Sequence, residues 1–121
     1  MKIRIQRNSV RFRLSKTDID KLEKTGFLKE ETAFANARFG YAISRSTVDE
    51  ALSAVFEDGT IVMIMPESMI SGWAANDIVG FNATMQINEN ETLHLLVEKD
   101  FKCLDNVTED QSDNYENPKT C

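Results

Sequence analysis

Lys2-Ile3-Arg4-Ile5-Gln6-Arg7-Asn8-Ser9-Val10-Arg11-Phe12-Arg13-Leu14 holds two runs in which hydrophobic and polar residues alternate. Ile3 and Ile5 stand against Lys2, Arg4 and Gln6, and Val10, Phe12 and Leu14 stand against Arg11 and Arg13. That period of two belongs to half-buried strands. Arg7-Asn8 is short enough to join them as an antiparallel hairpin, with Asn8 the residue that tolerates the positive φ of a tight turn. Ser15 or Thr17 is then placed to cap a helix with Ile19 and Leu22 on its buried side, and Gly26 ends it just past Lys24. A ββα unit results.

Beyond Gly26, Phe27 to Phe34 and Tyr41 to Thr47 read as extended, separated by the small, flexible stretch Ala35 to Gly40. The pattern then restarts. Ala51 to Phe56 and Thr60 to Met65 flank Asp58-Gly59, a strong hairpin signal, and Pro66 suits a first helical turn because it lacks an N–H. A helix through Ile70 and Trp73 is expected, followed by a hairpin from Phe81 to Ile87 and Leu93 to Val97 across Asn88-Glu89-Asn90-Glu91. A displacement of 51 residues superposes the two halves: Ile3 on Ala54, Ile5 on Phe56, Val10 on Ile61, Phe12 on Met63, Leu14 on Met65, Ile19 on Ile70, Leu22 on Trp73 and Phe27 on Ile78. The match is of hydrophobic positions and turns with little residue identity, which two ordinary ββα units of similar length would also give. If it marks a duplication, one ββαββ half leaves a hydrophobic sheet face open and two halves can close it.

The 121 residues, 41% hydrophobic and 28% charged with a formal net charge of −6, suit one soluble domain. A chain of this length buries roughly two thirds of its unfolded surface, enough for a core without metal or disulfide staples. No apolar run approaches the ~20 residues of a bilayer span, and Met1-Lys2-Ile3-Arg4 is not the start of a signal peptide, so the expectation is cytoplasmic, with no membrane association. Cys103 and Cys121 are too few for a disulfide framework. Without secretion, the Asn82, Asn90 and Asn106 triplets of glycosylation type carry no weight. Charge is segregated: Met1 to Arg13 holds five bases and no acid, whereas Ser46 to Glu98 holds nine acids and no base.

The stretch Gly59-Thr60-Ile61-Val62-Met63-Ile64-Met65-Pro66-Glu67, with Asn76-Asp77-Ile78-Val79 and the hairpin ending at Val97, resembles the swapped-hairpin module of the SpoVT/AbrB family. That module runs strand, proline, short helix, Gly-Asp turn and strand pair. Arg7-Asn8-Ser9-Val10-Arg11-Phe12-Arg13-Leu14-Ser15 is similar to the Gly-Asn-Ser and Val-Arg-Ile-Pro stretch of that superfamily's antitoxins, with Arg7 for their glycine and Ser15 for their proline. Met1 to Leu14 and Val97-Glu98-Lys99-Asp100-Phe101 with Cys103 also look like the ends of a family of small uncharacterised bacterial proteins. The tandem resemblance implies a mainly-β α+β fold in which two ββαββ repeats, about 2–47 and 53–98, close into a pseudo-two-fold swapped-hairpin-like barrel with two short helices. The barrel domain is expected over 1–101, and an acidic C-terminal extension over 102–121.

Three kinds of chemistry follow. In the resembling family, outward bases on the first hairpin grip DNA, which makes Lys2, Arg4, Arg7, Arg11 and Arg13 the candidate nucleic-acid surface. Against it stand the overall acidity and the bland alternative of a charged face paired with the chain's own acids. The antitoxin likeness implies instead a protein partner wrapped by the extension, through Asp105, Glu109, Asp110, Asp113, Tyr115 and Glu116. A thiol or metal enzyme centred on Cys103 is the third and weakest reading. His94 is a lone strand histidine, no metal-ligand spacing or phosphate loop occurs, and Trp73, Met63, Met65 and Met69 follow core spacing. The expectation is a non-catalytic binding protein, without cofactor or metal, monomeric or weakly dimeric.

Overall fold

The computed structural model describes residues 1–101. Its elements, in chain order, are β1 (Lys2–Gln6), β2 (Ser9–Leu14), α1 (Lys16–Thr25), β3 (Phe27–Ala33), β4 (Arg38–Ser46), β5 (Ser53–Glu57), β6 (Thr60–Pro66), α2 (Glu67–Ile70), β7 (Gly80–Gln86) and β8 (Thr92–Lys99). They form a mainly-β α+β fold of two four-stranded sheets, sheet A in the order β1-β2-β8-β7 and sheet B in the order β3-β4-β6-β5. Among the described residues no helix is long and apolar enough to cross a membrane.

Each sheet joins a hairpin from one half of the chain to a hairpin from the other. The alternation read in residues 2–14 explains why: each hairpin has one apolar face and two open edges, and joining a second hairpin occupies one edge while the facing sheet covers the apolar face. The central pairings are parallel, with Val10 beside Leu95 in sheet A and Ile61 beside Tyr41 in sheet B. The inner faces meet in one core, in which Phe12, Ile43, Met63 and Val97 are fully buried. Phe12 and Tyr41 pack edge to face across the sheets, with centroids 6.2 Å apart.

Among the described residues no backbone pairing joins sheet A to sheet B, so the strands are organised as two sheets where a closed barrel was expected. Their edges nevertheless approach. The Ala54 N–H of β5 donates to Met85 Sδ of β7 at 3.2 Å. The Met1 ammonium, next to β1, lies 2.9 Å from Asp18 Oδ2 and 3.4 Å from Glu30 Oε1 of β3.

The helices close one end of the core. For α1 the cap is Ser15: its Oγ accepts from the Asp18 N–H at 3.2 Å, while Asp18 Oδ2 accepts from the Ser15 N–H at 2.9 Å. Gly26, at φ 72°, terminates the helix by donating its N–H to the Leu22 carbonyl at 2.8 Å. The second helix differs from expectation. It stops at Ile70 after one turn, because Gly72 adopts φ 76° and no side chain caps its start. Trp73 still reaches the core from the following turn, fully buried, donating its indole N–H to the Ile78 carbonyl at 2.8 Å.

The uniform displacement of 51 also needs correction. It holds for the first hairpins, where Ile5 opposite Val10 is matched by Phe56 opposite Ile61, and as far as buried Leu22 and Trp73. Two extra residues follow Trp73, so Phe27 corresponds in sheet register to Gly80 and not to Ile78, a displacement of 53. The longer β7–β8 turn makes it 54 from β4 to β8. The first turn differs too: the positive φ falls on Arg7, at 51°, not on Asn8, while Asp58 and Gly59 both adopt it in the second turn.

Burial alone would raise the Asp18 pKa, but hydrogen bonds from the Met1 ammonium and from Ser15 outweigh it and hold the carboxyl below its ordinary value. A depressed carboxyl pKa stabilises the fold above the ordinary Asp value, and that contribution disappears as pH falls through the folded value. Asp18→Asn should therefore melt lower than wild type at pH 7, with the difference shrinking on acidification. Melting curves taken across the acid range will show whether the gap narrows.

Candidate nucleic-acid interface

Alternation places the side chains of Lys2, Arg4, Arg11 and Arg13 on the outer face of sheet A, because Phe12 and Leu14 between and beyond the arginines turn inward to the core. Strand register then sets like beside like. Lys2 is directly opposite Arg13, and Arg4 directly opposite Arg11. Such cross-strand pairs repel. The parallel partner β8 relieves part of that repulsion by placing Glu98 beside Arg13. Glu98 Oε1 accepts from Arg11 Nε at 2.6 Å and from Arg13 Nε at 2.9 Å, and its side chain is only 14% exposed. Lys2 Nζ lies 2.8 Å from Asp100 Oδ2. Among the described residues, Arg4 and Arg7 form no ion pair.

The five candidate bases are thus not equivalent. Lys2, Arg11 and Arg13 are tied to acids of their own chain, Arg4 stands open on the same face, and Arg7 sits at the turn between β1 and β2. Sequence reasoning anticipated pairing with the acidic half in general terms but did not single out Glu98 or Asp100. Their placement depends on β2 lying parallel to β8, which no local pattern encodes. A shallow groove of about 270 Å³ runs among Lys2, Ile3, Arg4, Arg11 and Arg13. Around the turn lies a polar groove of about 590 Å³, lined in part by Arg7, Asn8, Asn90, Glu91 and His94. Asn8 Nδ2 fixes its wall by donating to the Thr92 carbonyl at 2.6 Å. His94 is exposed, with Nδ1 3.1 Å from Thr84 Oγ1.

Sheet B presents a different face at the corresponding positions. Where sheet A has Arg4, Arg11 and Arg13, sheet B has Val55, Val62 and Ile64, and Ser44 stands in the place of Glu98. Only one outer face is basic. The remaining candidates, Asp105, Glu109, Asp110, Asp113, Tyr115 and Glu116 of the extension, together with Cys103 and Cys121, lie outside the described residues. Within the described residues no group of three or more His, Cys, Asp or Glu side chains is arranged to hold a metal ion.

Fold and face together define a two-sheet, mainly-β α+β protein with one basic outer surface. The chain belongs to the family of unknown function DUF7009, which it matches over residues 1–119. No curated protein and no solved structure matches it.

Removing the shared counter-ion should expose the repulsion it masks. Glu98→Gln is expected to cost roughly 1–3 kcal/mol, the range for losing charged hydrogen bonds at a partly buried site. Urea unfolding at low and high salt tests this, with a smaller loss expected at high salt because the unmasked repulsion is screened.

Proposed function

We propose that the chain is a cytoplasmic, non-catalytic binding protein that takes nucleic acid on the outer face of sheet A. In this reading its halves are copies of one SpoVT/AbrB-like ββαββ unit and close as a pseudo-two-fold barrel. Two pairs of matching backbone hydrogen bonds, one between hairpins and one at the open end of a single hairpin, support the duplication. The bond from the Gly40 N–H to the Gly59 carbonyl, at 2.9 Å, has a counterpart from His94 to Asn8 at 3.0 Å. That from the Arg45 N–H to the Gly26 carbonyl, at 2.9 Å, has a counterpart from Lys99 to Val79 at 2.8 Å.

The observation that carries the functional reading is Arg4 directly opposite Arg11 on a face with only partial acidic compensation. Like charges in a directly opposed pair cost stability, and an acid at either position would have removed the cost. Arginine in that place has a reason if an external anion supplies the missing charge, and planar guanidinium groups suit phosphate oxygens. Arg7, around the turn, extends the positive surface toward the polar groove. The overall acidity limits the contact to this one face, because the corresponding face of sheet B offers aliphatic side chains.

Fluorescence anisotropy against a short random duplex and its single strand, over a salt series, tests the proposal. Each neutralised duplex phosphate contributes about −0.9 to the log–log slope, so a slope of about −2 or steeper is expected. Complete lack of binding at about 50 mM salt, or a flat slope, would overturn it. Arg4→Glu separates function from stability: it should weaken binding at least about tenfold and flatten the slope by about 1. The same change should leave Tm unchanged or raise it, because the introduced carboxylate would face Arg11 as an opposite charge.

A further inference from the structure

Among the described residues no helix covers the end of the molecule away from α1 and α2. There the turns Arg7-Asn8 and Asp58-Gly59 flank an apolar cleft of about 320 Å³ between the sheets. Its walls repeat one another: Ile5 corresponds in register to Phe56, Val10 to Ile61, and Phe39 to Leu93. Ala54 and Val55 complete a lining in which every side chain is apolar. Ile5 is 53% exposed and Phe56 66%, so the seam continues out of the cleft onto the surface. A small-molecule site needs placed polar groups to fix orientation, and this cleft offers none from its side chains.

The rim supplies the charge. Arg7 stands on one turn, and Glu57 and Asp58 stand on or beside the other, with Arg7 and Asp58 at corresponding positions. Arg7 holds φ 51°, a left-handed conformation that Asn, Asp or Gly adopts more cheaply. An arginine kept there at a conformational cost has a use for its charge.

We infer that this end docks a second copy of the chain about a two-fold axis lying across the cleft, so that each copy's Arg7 meets the other's Asp58. An apolar seam with opposite charges at its two ends complements itself when turned about such an axis, which is the requirement of an isologous interface. The same rotation lays the Ile5 side of one copy on the Phe56 side of the other. The cleft is small, so the dimer is weak, with a Kd on the order of micromolar. This docking is independent of the nucleic-acid reading, although Arg7 belongs to both surfaces, and its test is done without nucleic acid.

Sedimentation equilibrium of the full chain from about 1 to about 500 µM should show a monomer–dimer equilibrium. Phe56→Lys, at an exposed position, should raise Kd at least about tenfold. Arg7→Glu and Asp58→Lys should each dissociate the dimer, since each sets like charges against each other at both contacts. An equimolar mixture of these two variants should dimerise again, because both contacts then pair opposite charges. Circular dichroism and Tm of each variant report folding. A wild-type chain that stays monomeric throughout, a Phe56→Lys dimer of unchanged affinity, or a mixture no better than its parts would each overturn the inference. So would uptake of an apolar dye by a chain that remains monomeric, which would assign the cleft to a small ligand.

Discussion

Two parallel strand pairings, β2 with β8 and β4 with β6, hold the molecule together. Neither half of the chain builds a sheet alone. Its first hairpin contributes to one sheet and its second to the other, so the inner faces that bury Phe12, Met63 and Val97 exist only once the halves have exchanged partners. The same pairings fix where charge ends up. Glu98 neutralises two arginines far from it in sequence only because β8 runs beside β2 in a single register.

Corresponding positions in a shared backbone pattern have taken different chemistry. On the outer surface of sheet A, Arg4, Arg11 and Arg13 are polar, ionic and partly self-compensated. On sheet B the matching Val55, Val62 and Ile64 are aliphatic. Inner positions keep one character: Leu22 and Trp73, and Leu14 and Met65, differ in shape yet stay buried, and Ile19 and Ile70 are identical and buried. Packing constrains the inward row in both halves, whereas the outward row is free to specialise. The proposed anion-binding role of sheet A depends on that freedom.

The elements were legible where local rules suffice. Alternation marks β1 and β2, Gly26 ends α1 and Ser15, one of two cap candidates beside Thr17, begins it, and Asp58-Gly59 marks the second hairpin. Elsewhere local rules ran out. Gly72 carries the same left-handed stop chemistry as Gly26, but buried Trp73 just beyond it sits at helical spacing from Ile70, which drew the expected helix past a glycine that breaks it after a single turn. The connection after Trp73 is two residues longer than the one after Leu22, and a hydrophobic match without residue identity cannot locate that difference in register. Among the candidate bases, the sequence singled out all five but could not rank them. Which arginine is neutralised depends on Glu98, 85 positions from Arg13, and on a strand direction that is decided only in three dimensions.

That separation also bears on biosynthesis. The ribosome delivers β1 and β2 some eighty residues ahead of their neighbour β8, the last of the described strands. Until β8 emerges, one edge of β2 stays unzipped and the apolar side of the nascent hairpin lacks its covering. Contacts of such long sequence separation slow folding and prolong the exposure of sticky intermediates. The lysines and arginines alternating through residues 2–13 are of the gatekeeper type, charges that keep a waiting hairpin soluble until translation catches up.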